Sequence, residues 1–275
     1  MKNDKSVIEE IKEVKEYTQK KLNQNIPRDA VVPSHLQQEE LGKLEIGLRH
    51  EQFFFVVDVI DFKIIHARGI DIIGYNTEQF DMFQYLQAIP SKGLLQLFIL
   101  MWRNIFNFNV EEDTPLQFLK PKFIVQMPIK HANGDIFLVK RTISPFQFTK
   151  SGMITQYLSE FVVIKKTFDN EPPEPRFTDI PEKMVEKYAE FINRDFIWEN
   201  SPFSPKEMII VNTYAHSHPE TSVDIIAKEL NLQVSTLKFY NKAILRKAQD
   251  FLGEHYIFTT AREVAVFFKK SGILK

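Results

Sequence analysis

The order in which strand-forming and helix-forming runs follow one another limits the fold of this chain more than any other feature. Residues 53–57 (Phe-Phe-Phe-Val-Val) form a β-rich run, Asp58 to Asp61 interrupt it, and 62–67 resume as a second strand, which predicts a hairpin. Short helical pieces through 70–88 and a strongly apolar helix over 91–107 come next. After Pro115 follow three further strand candidates, 123–131, 135–145 and 155–165. Asn133-Gly134 lies between the first two, and this dipeptide accommodates the positive φ angles that a tight hairpin turn demands. Two strands, then helices, then three antiparallel strands is an α+β order and excludes the strict strand-helix alternation of a parallel sheet.

The flanks read differently. Residues 6–22 place Val7, Ile8, Ile11, Val14 and Leu22 mostly on one face of a charged segment with Ser6 as N-cap, an amphipathic helix in need of a partner surface. Pro27 and Pro33 break the chain, and a weaker helix is expected over 34–48. Beyond the sheet, residues 169–175 (DNEPPEP) carry three prolines and three acids and read as a stiff linker that cannot join a core. A helix is expected over 181–198, with Pro181 in its first turn and Met184, Val185, Tyr188, Phe191 and Ile192 on its apolar face. At 275 residues the chain has room for two cores. The expected divisions are 1–50 (N-terminal helices), 51–167 (sheet domain), 168–203 (linker and connecting helix) and 204–275 (helical domain).

Several function classes lack sequence support. There is no cysteine, which rules out disulfides, thiolate zinc sites and cysteinyl nucleophiles. The N-terminus is charged throughout and no apolar run reaches membrane-spanning length, so neither a secretory signal nor a membrane partner is expected and a cytoplasmic location is. GxGxxG, GxxxxGK[ST] and GxSxG are all absent, and the carboxylates are scattered over helix faces, so no catalysis is expected. His216, His218 and Glu220 offer metal-binding side chains, but beside Pro219 they read as a polar loop, and no metal site is assigned. His131 reads as a hairpin-loop residue. The 25 phenylalanines are core material first and pocket lining second. Net charge is −1, yet residues 204–275 hold ten Lys/Arg against seven Asp/Glu, a local +3 that leaves −4 for the rest.

That basic tail has a recognisable order. Ser204-Pro205-Lys206-Glu207 combines an N-cap serine, a first-turn proline and a glutamate at the third helical position, a capping box that opens a helix to His216. A second helix spans 221–230, Asn231 suits a left-handed turn, and a third helix spans 234–252. In the third, Val234, Leu237, Tyr240, Ile244 and Ala248 face inward, leaving Lys238, Asn241, Lys242, Leu245 and Arg246 outward. Two helices, a short turn and a third helix with a cationic outer strip is the order of a helix-turn-helix. The same pattern fits a small helical docking or dimerisation module whose charges are merely solvated. The run Ile226-Ala227, Leu230, Leu232, Ser235-Thr236-Leu237-Lys238, Tyr240, Ile244 and Lys247 resembles the LuxR/GerE family of transcription factors, whose pattern is roughly IAxxLxISxxTVKxHxxNIxxKL. Residues 260–274 resemble that family's last helix. The chain departs from the pattern at Asn231, Gln233, Leu237 and Tyr240. The resemblance implies double-stranded DNA as partner, with Lys238, Phe239 and Lys242 facing the groove and Asn241 beside them. Ser235, Thr236 and Arg246 would then face phosphates, and Lys247 completes the set.

Residues 52–166 resemble a PAS domain in the Asp58/Asp61 hairpin, in Ile70-Asp71-Ile72-Ile73-Gly74-Tyr75, and in the turn from His131 to Asp135. The resemblance implies a sensory or dimerising module with an α+β, PAS-like antiparallel sheet ahead of an all-α helix-turn-helix domain. Its pocket would involve His66, Ile72, Tyr75, Phe98 and Trp102, unless the space is simply filled core. The residues identify no cofactor. The expected function is a one-component transcription regulator in which a PAS-like sensory or dimerisation domain is coupled to sequence-specific DNA binding, with a small-molecule ligand as one option for the sensory input. A homodimer is expected from the apolar face of 6–22 and from Val264, Val266, Phe267 and Phe268 in the last helix. The alternative is an interaction protein that uses the tail for docking without DNA.

Overall fold

In the computed structural model, the described residues are 8–9, 12–13, 15–16, 30–111, 115–166, 170–195 and 201–274. Most of the expected helix over 6–22 therefore lies outside the described residues; those of its residues that are described are helical and exposed. Strands β1 (Gln52–Asp58) and β2 (Lys63–Arg68) form the first hairpin. Strands β3 (Lys122–Lys130), β4 (Ile136–Phe148) and β5 (Ile154–Lys165) form a meander, and β6 (Arg176–Thr178) pairs with the free edge of β3. The sheet order is β2-β1-β5-β4-β3-β6, all antiparallel. The hairpin thus closes onto the last strand of the meander, with Phe53 opposite Phe161 and their rings stacked 4.3 Å apart. This is the α+β, PAS-like sheet.

Alternation sends the two faces of β1 to different partners. Phe53, Phe55 and Val57 join the main core, beneath a 3-10 turn (Ile70–Ile73) and helices α2 (Met82–Gln87) and α3 (Lys92–Glu111). Phe54 and Val56 face the other way and form, with Phe146 and Leu158, a smaller cluster under Leu41 and Leu44 of helix α1 (Ser34–Gly47) and Leu48 just past its end. The β3–β4 turn differs from a two-residue Asn-Gly hairpin. Lys130 and Ile136 are the last paired residues, only Gly134 takes the left-handed conformation (φ 98°), and Asn133 instead accepts the Asp135 backbone N–H through Oδ1. β4 also runs three residues beyond its expected end. Pro145 lies beyond the last β3–β4 pair and just before a register shift with β5, and its carbonyl accepts the Leu119 N–H at 2.9 Å.

The linker expectation needs correction. Pro173 is buried, residues 176–178 are a strand, and the Asn170 side chain accepts the Ile257 backbone N–H at 2.9 Å. Proline removes a donor but does not prevent burial, so the segment lies as a seam against the C-terminal region. Helix α4 (Glu182–Asp195) begins as expected and packs on α3; Tyr188 donates to the Met101 carbonyl at 3.2 Å and stacks edge-on against Phe177 and Phe108. The remaining helices are α5 (Pro205–His216), α6 (Val223–Glu229), α7 (Val234–Leu252) and α8 (Ala261–Lys270). In place of two separate cores, one continuous apolar cluster runs from the sheet through α3 to Leu237, Leu252 and Phe268. No helix among the described residues is long and apolar enough to cross a membrane.

The α3–α7 contact is unusually close. A Cβ built on Gly93 would overlap the Phe251 carbonyl oxygen, and one on Gly253 would lie 3.0 Å from the Ser91 Cβ. Backbone here meets backbone. Gly93→Ala is expected to lower the urea midpoint by the equivalent of about 1–3 kcal/mol through overpacking. Gly42→Ala in α1, where no atom lies within 4 Å, should raise stability by about 0.5–1 kcal/mol through helix propensity. Equal effects of the two substitutions in urea titrations would refute the tight α3–α7 seat.

Candidate functional site

The C-terminal helices are set by side chains that the expected capping box positions. Ser204 Oγ accepts the Glu207 N–H at 3.4 Å, and Glu207 Oε2 accepts the Ser204 N–H at 2.7 Å. The same carboxylate takes Lys247 Nζ of α7 at 2.6 Å, so one buried glutamate caps α5 and ties it to α7. Burial pushes the Glu207 pKa up, but the hydrogen bonds from Lys247 and Ser204 and the Lys247 charge outweigh it, and the net shift is downward. Asn231 adopts the left-handed conformation (φ 53°), as its place in the turn between α6 and α7 requires. α6 starts two residues later than expected because Ser222 caps it, accepting the Ile225 N–H.

Arg262 of α8 was not singled out by sequence, yet it closes the unit. Its guanidinium donates to Ser217 Oγ, to the His218 carbonyl at 2.6 Å and to the Thr221 carbonyl at 2.6 Å, and lies over the Tyr214 ring. The loop between α5 and α6 is held by these bonds. No group of three metal-ligating side chains occurs among the described residues, and His216 Nδ1 instead bonds the Asn212 carbonyl.

On α7 the sequence-predicted residues separate into two sets. Ser235, Lys238, Phe239, Lys242 and Arg246 are exposed, Phe239 at 70%, and the three cations recur at four-residue steps along one ridge. Thr236 is half-buried at the edge of that ridge. Asn241 and Lys247 turn inward: Asn241 Nδ2 donates to the Tyr214 hydroxyl at 2.8 Å, and Lys247 is committed to Glu207. Leu245, expected outward, packs on the core. The dimer expectation for α8 is likewise narrowed, since Val264, Phe267 and Phe268 are buried within the chain and only Val266 is exposed.

The sheet domain holds a cavity of about 50 Å³, measured to the centres of water-sized guests. Of the five residues expected there, Phe98 and Trp102 line it. Ile72 packs into the surrounding core, and Tyr75 leans on Phe80. His66 lies on the opposite face of the sheet, stacked on Phe54, with Nε2 3.0 Å from Glu45 of α1. Its placement near the pocket fails because β2 side chains alternate faces. Burial, reinforced by the Arg68 charge, lowers its pKa despite Glu45.

Sequence reasoning missed three polar members of the wall: Tyr85 of α2, Arg141 of β4 and Tyr157 of β5. Arg141 is 8% exposed, donates to Ser159 Oγ at 2.9 and 3.2 Å, and has its guanidinium 5.2 Å from the Tyr85 ring centre. Burial raises the pKa of both phenols, Tyr157 to about 12, against the opposing Arg141 charge. Both remain neutral donors at neutral pH. A signal existed, because Phe137, Val139 and Arg141 alternate onto the same face and so place a cation at an inward position.

These features define an α+β chain in which a PAS-like sheet domain carries an all-α helix-turn-helix unit seated on its apolar helix. No protein-family model matches the chain, and no curated protein matches it in sequence. Among solved structures the chain is similar to a phage VqmA–DPO complex, at 12% identity over 86% of this chain and 91% of that one, with a TM-score of 0.30. It is also similar to a Vibrio cholerae VqmA–ligand–DNA complex, at 12% identity over 88% and 92% of the two chains, TM-score 0.25. A Vibrio cholerae VqmA dimer in the absence of target DNA gives 11% identity over 86% and 90%, TM-score 0.29.

Because the folded-state pKa of Glu207 lies below its ordinary value, its contribution is fully present above the usual glutamate range and is lost as pH falls through the folded value. Glu207→Gln is expected to cost about 1–3 kcal/mol at neutral pH. It should also flatten the loss of stability below about pH 4.3 relative to the parent. Urea unfolding at neutral and acid pH checks both; an identical acid limb in the variant would contradict the assignment.

Proposed function

We propose that the chain is a one-component transcription regulator, a PAS-like sensory domain coupled to a LuxR/GerE-type domain that binds double-stranded DNA. The observation that carries this reading is the exposed ridge of Lys238, Lys242 and Arg246 on α7, the helix that follows a short turn after α6. A helix placed in that order enters a major groove, where lysines reach guanine O6 and N7 and an apolar ring meets a thymine methyl. Phe239, exposed at the head of the same ridge, suits the second task. Ser235, Thr236 and Arg246 are assigned to phosphates. Asn241 and Lys247 are assigned to holding α7 in place, because both have internal partners.

In this reading residues 51–167 are the sensor, extended by β6, and 204–275 are the DNA-binding domain. The coupling element is α3. Phe98 and Trp102 on it line the cavity, and Gly93, less than three turns away, meets Phe251 of α7. Reading paired half-sites calls for a two-fold homodimer. Since the apolar face of α8 is largely used inside the chain, the dimer contact is assigned to the N-terminal segment. The protein is read as cytoplasmic, without membrane contact and without catalysis.

The test is duplex binding across a salt series, using a sequence selected by the parent protein from a random pool. Lys238→Ala combined with Lys242→Ala should weaken binding to the selected sequence at least about tenfold and relax its base discrimination, with the far-ultraviolet circular dichroism unchanged. A folded double variant that binds as tightly as the parent would overturn the reading and favour a docking module that does not bind DNA.

A further inference from the structure

We propose that the cavity binds a small organic acid with an apolar body and one carboxylate, with Arg141 as its counter-ion and the Tyr85 hydroxyl as a second donor. The proposal deepens the sensor reading by naming its ligand class. Arg141 is nearly buried, and its side chain donates to the neutral Ser159 hydroxyl; no described carboxylate pairs with it. A buried guanidinium without a counter-ion is costly, and the rings of Tyr85, Tyr157 and Phe161 around it at 5.2 to 5.9 Å offset that only in part.

A second, independent observation lies in the same wall. Tyr85 is 2% exposed and its hydroxyl has no hydrogen-bond partner among the described residues. A buried donor of this kind is destabilising unless something accepts from it. Cation and free hydroxyl both border one cavity, with Tyr157 beside them, and most of its remaining lining, including Val57, Met82 and Phe98, is apolar. A carboxylate matches the flat fork of a guanidinium, with a lone pair left for the phenol. The small apolar remainder takes a ring or short hydrocarbon body and leaves no polar partners for a heavily hydrated anion such as phosphate.

The experiment is ¹⁹F NMR titration of the full chain with 4-fluorobenzoate, and with 4-fluorotoluene as the uncharged comparison. The parent should bind 4-fluorobenzoate at millimolar or lower concentration. Arg141→Met should weaken this at least about tenfold while leaving 4-fluorotoluene binding equal or tighter. Tyr85→Phe removes only the unpartnered hydroxyl, so it should fold and should weaken 4-fluorobenzoate severalfold; it decides the matter if Arg141→Met does not fold. Absence of 4-fluorobenzoate binding to the parent, or unchanged affinity in Tyr85→Phe or in folded Arg141→Met, overturns the proposal. Duplex binding measured on the same sample separates the two readings: DNA binding without 4-fluorobenzoate binding removes the ligand class and leaves the regulator intact.

Discussion

Leu94, Leu95, Leu97, Leu100 and Met101 of α3 are all exposed by 3% or less, and together they occupy more of the helix circumference than one sheet can cover. Hydrophobic burial therefore demands cover from several sides. The sheet and α2 provide one, α4 a second through Tyr188, and the end of α7 a third at Gly93. This is why a chain with a proline-rich segment between two folding units has one continuous core. The segment 170–175 is pressed into that arrangement, with Asn170 bonded to Ile257 and Pro175 against Gly272.

The sheet separates two chemistries by alternation alone. On the α1 side, Glu45 draws in His66 and Arg68 across a small apolar patch, an arrangement of partly exposed charges worth little individually. On the α3 side, Arg141 is enclosed by aromatic rings. The same type of charge is thus cheap on one face and demanding on the other, because dielectric screening falls with burial. A one-residue change of strand register would exchange these environments.

Much of this architecture was legible because it follows from short-range rules. Strand runs and helical periodicity located the sheet, α3 and α7, and the Ser204 to Glu207 capping box and the left-handed Asn231 follow from local geometry. What escaped was decided by partners distant in sequence. Asn241 and Lys247 occupy outward-looking positions on a helical wheel, but Tyr214 and Glu207, 27 and 40 residues away, turn them inward. Pro173 looked unfit for burial until a second unit was present to bury it. His66 was misplaced by face, and Arg141 was overlooked although its alternation with Phe137 and Val139 was visible, since a cation at a core position is easily taken for a strand's outer edge.

On the regulator reading, the division of α7 has a mechanical consequence. Its inward polar residues fix its rotation about its own axis, through Tyr214 and Glu207 on α5, so the cationic ridge cannot roll independently of α5. Its C-terminal end is fixed separately, by Phe251 against Gly93 of α3. Phe98 and Trp102, which touch a guest in the cavity, stand five and nine residues along α3 from that seat, about 7 to 14 Å at the helical rise. A helix of that length moves as a rod. A guest can bias the ridge only to the extent that it binds better with α3 in one position than in another. Cavity wall and seat share one rod, so a displacement of the wall that does not reach Phe251 would require α3 to bend, and its described span contains no proline at which to do so.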